Sequence, residues 1–129
     1  MYVFGVVLEC PFDEAVEKVR EALAAAKLGI VSDVDVAAIL RAKLGEDIGG
    51  YRILGACAPA LAQGVIQTQP AVGVLLPCNL VVRTLDAVST AVDFMDPEAI
   101  LALARIPEID ALAAEAKVML LQVRNLLST

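Results

Sequence analysis

Between Arg52 and Arg83 the chain carries no Asp, Glu, Lys or Arg. This run, residues 53–82, constrains the fold more than any other feature. An uncharged segment of that length in an acidic chain belongs mostly to the interior. It is not a membrane span, because Pro59, Gln63, Gly64, Gln67, Gln69, Pro70 and Pro77 punctuate it. Two of the three cysteines, Cys57 and Cys78, lie inside it, each near a proline.

The rest of the composition sets the surroundings. At 129 residues one domain, residues 1–129, is expected, and the chain can bury a core without metal or disulfide staples. Hydrophobic residues make up 59% and charged residues only 20%. So little polar cover leaves an apolar patch on a monomer, and a homodimer is the natural remedy. The net charge of -6 excludes the basic footprint of nucleic-acid binding. It also offers no polybasic anchor for an acidic membrane. Met1 leads into an apolar strand with no basic segment before it, so no signal peptide is expected. Three cysteines, an odd number, fit a reducing compartment, and a cytoplasmic location is the simplest reading.

Periodicity divides the chain into ten elements. Tyr2–Glu9 reads as a strand ended by Pro11. Phe12, Val16, Val19, Leu23 and Ala26 recur at helical spacing behind a candidate cap, Asp13, and Gly29 stops that helix. Ile30–Val34 is a second strand. A helix capped by Asp33 or Asp35 follows and stops at Gly45. Tyr51–Ala56 is a third strand. A helix over 58–67 takes Pro59 in its first turn. The pattern predicts a fourth strand over Val72–Arg83, bulged or at an edge because Pro77 breaks its ladder. A hairpin at 84–87 leads to a fifth strand, Val88–Phe94. Asp96-Pro97-Glu98 starts a short helix, and Pro107-Glu108 starts the last, which runs to about Leu127. Its seam of Ile109, Leu112, Ala116, Met119, Val123 and Leu126 needs a surface to pack on, either the chain's own sheet or a second subunit. The expected class is α+β: a two-layer sandwich with a mixed, mainly antiparallel sheet of about five strands. The helices lie on one face, with extra helices at the C-terminus. The other sheet face is the candidate dimer surface.

Several segments together resemble the domain-of-unknown-function 302 family. They are Phe12-Asp13-Glu14-Ala15-Val16, then Tyr51 through Ala62, then Leu75-Leu76-Pro77-Cys78-Asn79-Leu80-Val81-Val82, and Met95-Asp96-Pro97. The likeness runs over about residues 2–104, and the paired cysteine segments are its most specific part. The last helix, over 107–127, lies largely beyond it as an extension. The resemblance implies a compact two-layer α/β protein, commonly dimeric, and brings no established reaction or cofactor. Where the family often has an asparagine before the proline that follows the first cysteine, this chain has Ala58.

The candidate site is Cys57 with Cys78. A cysteine just ahead of a helix gains from the free N–H groups and dipole there, which favour a thiolate. If the third and fourth strands are neighbours, both thiols face one pocket, and redox or sulfur chemistry follows. Free cysteine is also among the most buried residue types, so plain packing is the competing account. Metal binding is a third, although the chain has no histidine and two thiols leave a zinc tetrahedron two ligands short. Without histidine there is no Ser-His-Asp or Cys-His machinery, and no phosphate or dinucleotide glycine loop occurs. A small-ligand pocket without catalysis remains, with Asn79, Arg52 and Tyr51 as candidate ligand contacts and Arg83 at the rim. Cys10, before Pro11, is read as incidental.

Overall fold

The computed structural model describes residues 1–128. Its strands are β1 (Val3–Leu8), β2 (Gly29–Asp35), β3 (Tyr51–Cys57), β4 (Cys78–Asp86) and β5 (Ser89–Met95). Its helices are α1 (Phe12–Ala25), α2 (Val36–Leu44), α3 (Pro59–Thr68), α4 (Pro97–Leu101) and α5 (Pro107–Leu127). The strands form one sheet in the order β1-β5-β4-β3-β2, and each of the four pairings is antiparallel. The fold is α+β, as the element pattern implies.

Alternation along the strands makes one face of the sheet the core. Phe4, Val6 and Leu8 stand in register with Phe94, Val92 and Thr90. Leu80 and Val82 continue the layer, as do Leu54 and Ala56. Val16, Val19 and Leu23 of α1 and Leu120 and Val123 of α5 close over them. Phe4 and Phe94 stack with centroids 5.2 Å apart, and the Arg124 guanidinium of α5 lies 5.5 Å from the Phe4 ring. Thr90, fully buried, donates its hydroxyl to the Cys10 carbonyl at 2.9 Å, so the core leaves that polar group satisfied. The last helix thus packs on its own chain: Ile109, Ala113, Leu120 and Val123 are all buried.

Local chemistry explains most boundaries. Asp35 caps α2 by accepting the Ala38 N–H at 2.9 Å, and Gly45 ends the helix in the left-handed region at φ 69°. Asp96 caps α4 through the Glu98 and Ala99 N–H groups. Its second oxygen meets Lys117 Nζ at 2.9 Å, tying the start of α4 to α5. Burial opposes the charge on Asp96, but Lys117 and the two N–H donors outweigh it and hold the carboxyl below its usual range. Asp13 sits in the first turn of α1 and is not its cap, since the helix begins at Phe12 behind Pro11.

The strand expected over Val72–Arg83 is not continuous. Pro70–Leu75 forms a 3-10 helix and β4 begins only at Cys78. Pro70 and Pro77 lack the N–H that a ladder requires, so pairing starts after the second proline. Pro77-Cys78 is therefore a strand entry, and the sheet's irregularities fall instead between Ile30 and Ser32 and between Thr84 and Asp86.

Candidate functional site

The entry into β4 and the exit from β3 lie side by side. Ala56 is paired directly with Cys78, and Cys57 is the last residue of β3, where the chain turns into α3. Beneath this junction a second cluster forms from Val65, Val72, Leu101, Ile109 and Ala113, contributed by α3, the 3-10 helix, α4 and α5. Between that cluster and the sheet is a hollow of about 280 Å³. Its walls come from the β3–α3 turn (Ala56, Cys57, Ala58) and α3 (Leu61, Ala62, Val65, Ile66). Leu76, Pro77, Cys78, Leu28, Val31 and Leu101, with Leu112, Ala116 and Leu120 of α5, complete them.

The hollow exists because the facing positions are small. Ala56, Cys57, Ala58, Ala62, Cys78 and Ala116 leave volume that larger neighbours do not fill. α3 and α5 pack tightly at Gly64, where a Cβ would come within 3.0 Å of a Leu112 methyl. At the sheet edge the bulge between Ile30 and Ser32 frees Val31 from the ladder. Val31 then lines the hollow while 62% exposed, and Ile66 across from it on α3 is 45% exposed. These two mark the mouth. A bulge that re-aims a side chain at a pocket rim is a familiar device.

The two cysteines of the uncharged run therefore do line one hollow, and both are half-buried free thiols. Burial, with a smaller contribution from the nearby Cys57, pushes the Cys78 thiol up to about 11. At neutral pH Cys78 is a neutral thiol. Cys10 is buried in the main core, where burial and a hydrogen bond with Glu14 hold its thiol above the ordinary range.

The polar candidates lie elsewhere. Asn79 is exposed and by register points to the opposite face of the sheet with Gly55. Tyr51 and Arg52 stand at the far end of β3. Arg52 meets Asp33 at 3.0 Å and Asp35 at 3.3 Å, with Arg20 of α1 also on Asp33. The hydrogen bond from Asp33 raises the Arg52 pKa. Arg52 thus ties β3 to β2 and, through Asp33, to α1, and is not part of the hollow. Arg83 pairs with Asp93 at 2.7 Å on the outward face. None of these four residues lines the hollow. What the sequence did not reveal is the contribution of α5: Leu112 and Ala116 read as seam residues of a packing helix, Leu120 fell outside that seam, and nothing marked the three as a pocket wall. Among the described residues no group of three or more His, Cys, Asp or Glu side chains is placed to hold a metal ion. Nor is any described helix long and apolar enough to cross a membrane.

A family model described as domain of unknown function DUF302 matches residues 4–127. The chain belongs to that family. The match takes in the sheet except for Val3 and runs through α5, beyond the residues that carry the sequence resemblance. The chain is also similar to a solved structure, the crystal structure of an uncharacterized conserved protein DUF302 from Bacillus stearothermophilus. The two share 25% identity over 98% of each chain, with a TM-score of 0.88. No curated protein matches. Membership of the DUF302 family fixes the fold and brings no reaction with it.

Proposed function

We propose that this DUF302 protein is a small-molecule-binding protein whose site is the hollow between α3, α5 and the end of β3. One observation carries the reading: every side chain lining the hollow is aliphatic or a thiol, and none bears a nitrogen or oxygen. Concave, mostly apolar pockets are the usual form of small-ligand sites. Cys57 and Cys78 act as wall. Thiol redox or sulfur chemistry has less support, because a reactive cysteine needs an electropositive setting that favours the thiolate. Cys78 has the reverse, with its pKa raised to about 11 by burial. Metal binding has less again, since two thiols without further ligands nearby do not complete a site.

The test separates pocket from thiol chemistry. The Cys57→Ala/Cys78→Ala protein and the wild type are melted against a panel of small apolar molecules. A ligand present at 100 times its Kd stabilises the folded state by about 2.7 kcal/mol. Saturable shifts of similar size in both proteins are expected. A panel that shifts neither sinks the reading, and a response lost with the thiols returns the site to cysteine chemistry.

The reading includes assembly as a homodimer through the sheet face opposite α1 and α5. By register that face carries Val7, Val34, Ile53 and Val81, with Val7 51% and Val34 41% exposed. At its centre Arg83 and Asp93 form an ion pair at 2.7 Å, and Asp86 lies at its margin opposite Ser89. A chain of net charge -6 repels its own copy over most of its surface. At the centre of this face the two charges cancel. One basic and one acidic group on a self-complementary patch suit a two-fold contact in which each copy's Arg83 meets its partner's Asp93.

A further inference from the structure

The binding reading above leaves the ligand's chemistry open, and the walls narrow it. We infer that the hollow takes an uncharged, hydrocarbon-like molecule of about nine heavy atoms, admitted between Val31 and Ile66 and limited in size by Ala62 and Ala116. The inference rests on that reading.

The size follows from the volume. At roughly 30 Å³ for each water-sized group, 280 Å³ holds about nine. The lack of charge follows from the walls. A carboxylate, phosphate or ammonium inside would lose its water and meet no charged or polar side chain, and an unpaired buried charge is strongly disfavoured. The ion pairs of Arg52 with Asp33 and Asp35, and of Lys117 with Asp96 and Glu98, are already satisfied by one another. Neither thiol compensates: sulfur is a weak donor and a weak acceptor.

Ala62 on α3 and Ala116 on α5 are the size determinants because each lines the hollow from a separate helix with a single methyl group. Ala116 is half-buried mid-way along the 21-residue helix α5, so enlarging it projects into the hollow and leaves the helix intact. Leucine there fills space that is otherwise empty or wet. Filling it stabilises the unliganded protein and removes the site, the usual trade of stability against function.

The experiment uses the full chain and a series of straight-chain 1-alkanols from four to twelve carbons, beside alkanoates of the same lengths. Binding is read by calorimetry, by thermal shift, and by slowed alkylation of the cysteines. Alkanol affinity is expected to rise about fourfold per added methylene, then level near eight carbons. An alkanoate of equal length is expected to bind at least tenfold more weakly. Ala116→Leu and Ala62→Leu are expected to lose the longer alkanols first, with Ala116→Leu melting about 2–4 °C higher when empty. Alkanoates that match or exceed the alkanols overturn the ligand class and leave the site standing. No saturable binding by either series, or binding untouched in both leucine variants, overturns the site as well. Should Ala116→Leu fail to fold, Ala62→Leu carries the same decision.

Discussion

Cys78 pairs with Ala56 on the inward side of the sheet, and its thiol is held neutral by burial, to about pH 11. Its consequence for stability has a definite sign. An unfolded cysteine ionises near 8.5. The folded pKa is the higher one, so between the two values the unfolded chain has lost a proton that the folded chain keeps. The stabilisation is full below about 8.5 and falls as pH rises towards 11. Stability measured from pH 7 to 10.5 in wild type and Cys78→Ala is therefore expected to converge above about pH 8.5. Parallel curves would show a thiol that titrates normally. Gly55, on the other face, shows how tight the junction is. A Cβ there would fall 2.2 Å from Ser32 Oγ and 2.6 Å from the Pro77 ring, so only glycine lets Pro77 close over β3. The proximity of Cys57 and Cys78 could be anticipated from strand order. The role of Arg52 could not, because its two carboxylate partners lie on β2, two strands' length away in sequence.

Among the elements, α3 is the one that shapes the hollow, and its start has no side-chain cap. Its cap residue, Ala58, has the extended backbone a cap needs, at φ -99° and ψ 108°, but offers no side-chain acceptor. Pro59 spares one N–H at the first turn, and no side chain caps the donors that follow. Asparagine at this position can accept from the second or third helical N–H. Ala58→Asn is expected to stabilise the protein by about 1 kcal/mol, measured by urea unfolding with an unchanged slope. A neutral or destabilising result would mean that the amide is turned away from the helix by the wall of the hollow. The contrast with α4 is instructive. Asp96 supplies both a cap and a tie to Lys117, so a helix of five residues is held firmly between its neighbours. The cap at Asp96, the proline at the head of α3 and the glycine stop of α2 are all local devices, and all were readable from three or four consecutive residues.

Across the whole molecule, one sheet face is covered by α1 and α5, and the other presents valine and isoleucine around a single ion pair. If two copies meet there with Arg83 against Asp93, the pair can be used to program association. Arg83→Asp gives two acids per face and Asp93→Arg gives two bases. Each variant alone is expected to sediment as a monomer, and an equimolar mixture as a heterodimer, because unlike faces attract and like faces repel. Val7→Asp, at an exposed edge position, is expected to weaken the wild-type dimer without disturbing the fold. A monomeric wild type, or a dimer indifferent to all three changes, removes this interface.

Sequence alone settled the alternation of strand and helix, the cap and proline that start α4, the glycine stop of α2 and the family. Each of these depends on neighbours a few residues apart, or on a pattern spread along one element. The split of the expected fourth strand was hidden because a 3-10 helix and a short strand share the same apolar composition, and only the sheet's register decides where pairing begins. The hollow itself was decided by the tertiary structure. It is the space left when α3, α5 and a bulged edge strand fail to interdigitate, and missing volume is a property of three surfaces together, which no single stretch of sequence encodes.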